Sequence, residues 1–406
     1  MKAPIYLDYQ ATTPVAPEVA AAMRPWIETQ FGNPHSPHRL GREAAAVIEV
    51  ARERIVQALL LPSVRFERSR EVLAPDSEPR FSTALEPNGN GAGGKLYFTS
   101  GATEAANWAL KGVAARLPKG KRKIVTLATE HACVLDTVAW LGGQGFEIDI
   151  LPVGPDGLVD LDLAADRIDD RTGLVAAMLV NNEIGVIQPL SELAALAHEK
   201  GAIFFCDAVQ GFGRVPVPVE ACDMIALSAH KVHGPKGIGA LWVRDGVVLE
   251  PLLHGGGQEG GTRSGTLSPA LCVGFGEAAR LLAERAEEDH AHLERLWKLA
   301  WQRLDNQWIL NGSADARYHG NLNILMPGVD SARLISDVRD VAFSAGSACA
   351  SGSGRPSHVL SALGLTDREA RASIRIGFGR YTTEEDLLHA LDLIMAAARR
   401  QRQFAA

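Results

Sequence analysis

The sequence has little that would tie it to a membrane, a nucleic acid or a metal. No apolar run approaches the roughly 18 residues of a spanning helix. Asp and Glu number 48 against 41 Lys and Arg, a formal net charge of −7, and no Lys/Arg-rich block stands out. That balance argues against a polyanion as partner. The five cysteines (Cys133, Cys206, Cys222, Cys272, Cys349) are odd in number and widely spaced. The absence of a C-x-x-C pair argues against a dithiol centre and a zinc site of ordinary spacing. The first residues, M-K-A-P-I-Y-L-D-Y, hold no apolar signal core and no Arg/Ser-rich transit pattern, so a cytoplasmic location is expected. What is present is ordinary for a soluble globular protein: 406 residues, 46% hydrophobic and 22% charged, enough chain for two domains.

Along the chain, residues 5–14 read as a short extended arm, and 16–30 and 41–61 as helices. Residues 31–37, F-G-N-P-H-S-P, contain a glycine and two prolines and read as a loop, a connector or a way to aim the Asn33 amide into a site. Residues 62–94 turn rich in Pro, Ser, Glu, Arg, Asn and Gly and read as a surface insertion. From there strands and helices alternate. Strands are expected at 95–99, 123–128, 175–180, 202–206, 223–227 and 239–244, with helices opening near 105, 130 and 190. Near-continuous apolar strands between helices predict an α/β fold with a mostly parallel sheet buried on both faces. Residues 255–266 form a glycine-rich crossing. A long helix over 269–305, strands at 321–326, 341–343 and 373–377, and a helix over 384–399 follow.

Polar residues gather where the strands of such a sheet end, which is where ligands bind. Thr103, His131, Asn182, Asp207, Gln210 and Lys231 all fall at these ends. In L-S-A-H-K-V-H-G-P-K-G-I-G (227–239), Lys231 follows a buried strand and precedes a glycine-rich turn. Desolvation there lowers an amine's pKa and suits it to a Schiff base; the plainer alternative is a surface lysine before a turn. The S-G-A-T-E at 100–104 sits between strand and helix. It reads equally as a phosphate cradle of free N–H groups and as an ordinary N-cap with Glu in the first turn. Four cysteines have core-like surroundings. Cys349 lies instead in S-A-G-S-A-C-A-S-G-S-G-R-P (344–356), a small-residue loop expected to be mobile, and reads as an accessible thiol. Arg375, in the strand S-I-R-I-G, suits either a carboxylate of the fold or a substrate carboxylate. A Schiff-base lysine, a buried aspartate and a phosphate cradle meet the needs of pyridoxal phosphate.

The stretches L-D-Y-Q-A-T-T-P, F-G-N-P-H-S, F-T-S-G-A-T-E, T-E-H-A-C-V-L-D, V-N-N-E-I-G, D-A-V-Q, S-A-H-K-V-H-G-P-K-G-I-G-A-L, H-G-G-G-Q-E, R-S-G-T and S-A-G-S-A-C follow one another in order. In them the chain, outside 62–94, resembles the cysteine desulfurases of the NifS/IscS type, in the class V aminotransferase family. The resemblance implies a fold type I pyridoxal-phosphate transferase. Its large domain would span 17–260, with a mostly parallel seven-stranded sheet between helices. A smaller α+β domain would combine 1–16 and 261–406 and carry the cysteine loop.

The resemblance also implies roles. Lys231 would bind the pyridoxal phosphate aldehyde, Asp207 would pair with the ring nitrogen, and His131 would stack on the ring. Asn182 and Gln210 would bond the phenolic oxygen. Ala102, Thr103, Ser228 and His230 would hold the phosphate, with Thr266 reaching in from a second subunit of a homodimer. Asn33 and Arg375 would hold the carboxylate of L-cysteine. Cys349 would accept the sulfur as a persulfide and pass it to an acceptor or iron–sulfur scaffold, for cluster assembly or tRNA thiolation. No dedicated metal site is implied, though Cys349 would be the ligand of any iron–sulfur cluster in transfer. The chain departs from the family's pattern at the insertion, at Ala229 (commonly glycine), at His233 (commonly aromatic) and in a short C-terminus. Competing expectations are another class V enzyme, such as a selenocysteine lyase, and a catalytically silent scaffold subunit.

Overall fold

The computed structural model describes residues 3–61, 93–345 and 356–405. The expected insertion (62–94) and the Cys349 loop therefore lie almost wholly outside the described residues.

Seven strands form the main sheet, in the spatial order Gly94–Thr99, Gly239–Arg244, Met224–Ser228, Ile203–Asp207, Thr172–Met178, Lys123–Leu127, Glu147–Leu151. All neighbours are parallel except Gly239–Arg244, which runs antiparallel to both of its own. The central strands Thr172–Met178 and Met224–Ser228 are buried at every position, so their sequences are apolar without alternation. Helices cover both faces. Ala102–Ala114 and Ala132–Gly143 pack on one, where Trp108, Leu110, Val134 and Val138 meet Phe205 and Leu241 in one core cluster. Arg39–Leu60 and the start of Pro269–Arg303 bring Ile48, Ile55 and Phe275 to the opposite cluster, with Phe204, Ile225 and Trp242. The sequence reading missed the strand Glu147–Leu151 and the helix Leu161–Arg167. The strand is an edge with partly exposed positions and the helix is only 7 residues long, so neither has a long apolar signature.

The second sheet is antiparallel and four-stranded, in the order Ser344–Ala345, Ser373–Gly377, Asn321–Leu325, Ile309–Leu310. Helix Glu384–Ala405 covers it through Leu387, Leu391 and Ile394. Chain ends meet here. Ile5–Tyr6 pairs parallel with Val341–Ala342, and the Gly377 N–H donates to Leu7 O at 2.8 Å.

One helix serves both cores. Pro269–Arg303 has 35 residues, about 52 Å at 1.5 Å per residue. Ser268 caps it, accepting from the Leu271 N–H, and Pro269 takes the first position, where a missing N–H is harmless. Leu281 belongs to the large core; Leu296 and Ala300 belong to the core of the second sheet. At Gly276 the helix touches Arg39–Leu60 so closely that an added Cβ would stand 2.5 Å from Ala51 Cα. Gly276→Ala is expected to cost about 1–3 kcal/mol by overpacking, read as a fall in the urea midpoint. An unchanged midpoint would show that the two helices separate freely.

Candidate active site

A cavity of about 820 Å³ opens where the parallel strands end. Its walls include Ala102, Thr103, His131, Asn182, Asp207, Gln210, Ser228, His230, Lys231 and Arg375. Ten residues singled out in the sequence thus meet at one place.

Lys231 ends a 3-10 turn, Ala229–Lys231, that leaves the fully buried strand Met224–Ser228. The turn closes on the Ala229 carbonyl, which accepts from Val232 (3.0 Å) and Gly234 (2.9 Å). Ala229 itself is wholly buried, so its methyl fits where glycine is common. The Lys231 Nζ donates to the carbonyls of Gln10 (2.6 Å) and Ala11 (2.8 Å). Burial pulls its pKa down to about 7, helped by Arg214 and Arg375 and opposed by Asp8 and Asp207. Near neutral pH a large share of the amine is therefore unprotonated and nucleophilic.

The N-terminal arm latches this loop. Thr13 N–H donates to His230 O (2.9 Å), and His233 N–H donates to Thr13 Oγ1 (2.7 Å). His233 has a φ of 65°, unusual outside glycine, and its Nδ1 lies 3.0 Å from Pro14 O. The neighbouring His230 is pulled down to about 4, by burial first and then by Lys231 and other cations. It faces the cavity as a neutral ring with Nδ1 3.1 Å from Thr12 Oγ1.

Asp207 closes its strand and is 5% exposed, with Oδ1 accepting from Val209 N–H at 3.0 Å. Burial pushes its carboxyl up; His131, the Val209 N–H and Lys231 pull it back. His131 caps helix Ala132–Gly143, its Nδ1 accepting from Cys133 N–H at 3.1 Å. A neutral ring in that bond carries its proton on Nε2. Burial lowers its pKa.

S-G-A-T-E opens helix Ala102–Ala114 with Gly101 at the N-cap position. Glu104 reaches back to Ser100 N–H (2.7 Å) and pairs with Arg263 at 2.8 Å. No side chain caps the first turn of Ala102–Ala114, which leaves its N–H groups for an anion. Arg375 is 1% exposed. It donates to Asn182 O (3.0 Å) and Asp8 Oδ1 (2.7 Å), while its Nε is buried without a partner. It serves the fold and still has a donor unused.

Two named residues do not line this cavity. Asn33 is exposed, and its Oδ1 accepts from His35 N–H at 2.9 Å; Thr266 is also exposed. Cys349 lies outside the described residues. The other four cysteines are buried and free, as expected. Among the described residues, no group of three or more His, Cys, Asp or Glu could hold a metal, and no helix is long and apolar enough to cross a membrane.

The sequence reading gave no role to Gln10, Glu183 and His358, which line the cavity, or to Glu130, buried behind it next to His131. Glu130 is fully buried with Oε2 unpartnered, and burial, then Asp207, raises its pKa. Ser357 donates to Glu183, and His358 Nε2 lies 2.9 Å from Glu130 O. These contacts anchor the chain just past 346–355 to the cavity wall. Glu130 and Glu183 stand in quoted motifs, T-E-H and N-N-E-I-G, so the signal was there without a role attached.

The donor set suits pyridoxal phosphate on its own chemistry. A desolvated amine can hold an aldehyde, a buried anion with no ion-pair partner among the described residues can face a protonated ring nitrogen, and an uncapped helix start can take a phosphate.

The family model for aminotransferase class-V matches residues 5–64 and 90–389. A cysteine desulfurase IscS of Rickettsia bellii is 42% identical over 408 residues, 98% of this chain and 92% of that protein. One of Rickettsia felis is 41% identical over the same shares. Among solved structures, a NifS-like protein superposes with a TM-score of 0.83 at 32% identity, covering 97% of this chain and 98% of that one. A NifS-like protein from Rickettsia africae gives 0.81 at 27% identity, covering 97% and 99%. With a match on both sides of 65–89 and identity above 40% along nearly its whole length, the chain belongs to the class V aminotransferase family, among its pyridoxal-phosphate-dependent cysteine desulfurases.

Proposed function

We propose that this chain takes sulfur from L-cysteine at the cavity around Lys231, leaving L-alanine and a persulfide on Cys349. The observation that carries the reading is the Lys231 amine, desolvated to a pKa of about 7 and facing the same cavity as the buried Asp207. When bound, pyridoxal phosphate supplies an aldehyde for an amine and a ring that accepts electrons.

The chain's own residues do the rest. Ala102 and Thr103 at the uncapped helix start, with Ser228 and neutral His230, would hold the phosphate. Asp207 would supply the carboxylate that favours a protonated ring nitrogen. Asn182 and Gln210 would bond the phenolic oxygen, and His131 would pack against the ring. Arg375, with its unused Nε, receives the substrate carboxylate together with Asn33. Lys231 removes the Cα proton of L-cysteine and returns a proton as alanine forms. The Cys349 thiolate attacks the substrate sulfur. As the S–S bond forms, the C–S bond breaks, and its electron pair stays with the carbon that becomes the alanine methyl.

The wider setting belongs to the same proposal. Thr266 completes the phosphate site of a second subunit, so the working form is a homodimer. The exposure of Thr266 on a single chain is consistent with that use. The large domain is 17–260 and the small one 1–16 with 261–406; the separate core of the second sheet supports this division. The enzyme works in the cytoplasm and passes sulfur to an acceptor protein serving iron–sulfur assembly or tRNA thiolation.

The test compares wild type with Cys349→Ala. Both proteins should be yellow, and only wild type should form alanine and, under reductant, sulfide. Alanine formation by the variant at the wild-type rate would remove Cys349 from the mechanism. A colourless wild type, even with pyridoxal phosphate added, would overturn the whole reading.

A further inference from the structure

Behind Lys231 stands a cation with no ion-pair partner among the described residues. Arg214 follows the turn that carries Gln210. Its guanidinium donates to Lys231 O at 2.6 Å and to Gln210 Oε1, with a longer contact of 3.5 Å to Gln210 O. It lies over the Tyr318 ring, 5.3 Å from the centroid. Among the described residues it has no carboxylate within ion-pair distance, whereas an arginine largely withdrawn from water ordinarily has one. Burial pulls its pKa below the usual range, so the fold bears a cost for keeping it there. A second cavity of about 420 Å³, lined also by Leu59, Phe212 and Leu282, reaches Arg214 and gives the charge some access to water.

We propose that Arg214 is a positioning residue of the active site, fixing the Lys231 backbone and the Gln210 amide and setting a permanent positive charge behind the Lys231 amine. The proposal rests on Lys231 being the cofactor lysine.

The other charged groups around Lys231 do not duplicate Arg214. From the second sheet, Arg375 is already neutralised by Asp8 of the arm at 2.7 Å. From the ends of the main sheet come Asp207 and His131, a buried acid and a histidine whose pKa burial lowers. On the lysine's own loop, His230 is neutral at pH 7, and Lys236 is exposed on the cavity wall, where water screens it. Arg214 is partly buried and has no ion-pair partner among the described residues, although Glu284 and Glu287 line the second cavity with it, and it bonds the very residue whose amine must lose its proton. Its hold on Gln210 is shared with the arm, because Gln210 Nε2 donates to Gln10 O at 2.9 Å, the carbonyl that Lys231 Nζ also uses.

The test uses full-length holoenzyme as wild type, Arg214→Lys and Arg214→Met, and follows visible absorbance against pH. A positive charge near the chromophore nitrogen lowers the pH at which it loses its proton. Arg214→Met should therefore raise the midpoint by about one pH unit, and Arg214→Lys should stay near wild type. The same variants stripped of cofactor should keep this order in the pH dependence of Lys231 acylation by an amine-selective reagent. If Arg214→Met does not fold, Arg214→Gln, uncharged but still a donor, takes its place against Arg214→Lys. A midpoint moved by less than about 0.2 unit in the uncharged variant, or moved equally in both, overturns the proposal. A wild type with no visible band would instead overturn the cofactor assignment, while the acylation profiles would still report on Arg214.

Discussion

Lys231→Ala is expected to abolish the borohydride-reducible bond between protein and cofactor and to lower alanine formation from L-cysteine by at least about 10²–10⁴-fold, the scale of losing one positioned acid–base group. The loss comes from chemistry and not from collapse of the fold. Lys231 Nζ makes two hydrogen bonds, to Gln10 O and Ala11 O, and Gln10 O keeps a second donor in Gln210. The arm also stays latched through Thr13 and His230. Removing a desolvated amine offsets part of the lost bonding. The melting temperature of the cofactor-free variant should therefore lie within a few degrees of wild type. A variant that still fixes the cofactor under borohydride, or keeps a tenth of the activity, would show that another amine does the work.

Asp207→Asn separates activity from stability in the opposite way. The amide has nearly the same shape and can still accept from Val209 N–H, but it cannot face a cation as an anion. Turnover should fall by about 10²–10³-fold, as when one electrostatic group aimed at developing charge is lost. The visible band should move as the ring nitrogen loses its proton. Stability of the cofactor-free protein should rise or stay level, because the wild-type carboxylate is buried without an ion pair among the described residues. The sign follows from linkage. The folded pKa of Asp207 is raised above 3.8, so between that value and the folded pKa the native state holds more protons than the unfolded chain. The contribution of Asp207 to wild-type stability therefore declines as pH rises through this window and levels off above it. Glu130 and Glu183, also raised by burial, add the same sign. The variant should show a shallower decline. Equal dependence of urea stability on pH above 3.8 in the two proteins would mean that Asp207 titrates normally.

The sheet was legible because its central strands are buried on both faces and so are written as unbroken apolar runs, I-F-F-C-D and M-I-A-L-S. The gathering of polar residues at strand ends was legible for the same reason: each run stops at a residue unlike it, as at Asp207 and Lys231. The arm was harder. It offers Lys231 two backbone carbonyls, and every residue type has one, so no residue in L-D-Y-Q-A-T-T-P announces that use. Arg214 was invisible because its peculiarity is the lack of an acid within ion-pair distance among the described residues, a fact of space and not of spacing. The edge strand Glu147–Leu151 lacks the burial that writes a clean pattern.

The arm has a history as well as a place. Asp8 is the partner of a residue 367 positions later, and the Gln10 amide binds a carbonyl 310 positions on. On a ribosome adding about 5–20 residues per second, the first segment to emerge waits roughly 20–75 s before Arg375 exists. Until then the lysine's resting carbonyls are tethered at one end only. The large sheet, whose last strand ends at Arg244, is free to assemble long before the arm has anything on its far side to hold it. Completion of the active site is thus a late event in synthesis, set by the final strand of the second sheet, and a nascent chain arrested before residue 373 would carry Lys231 without its finished seat.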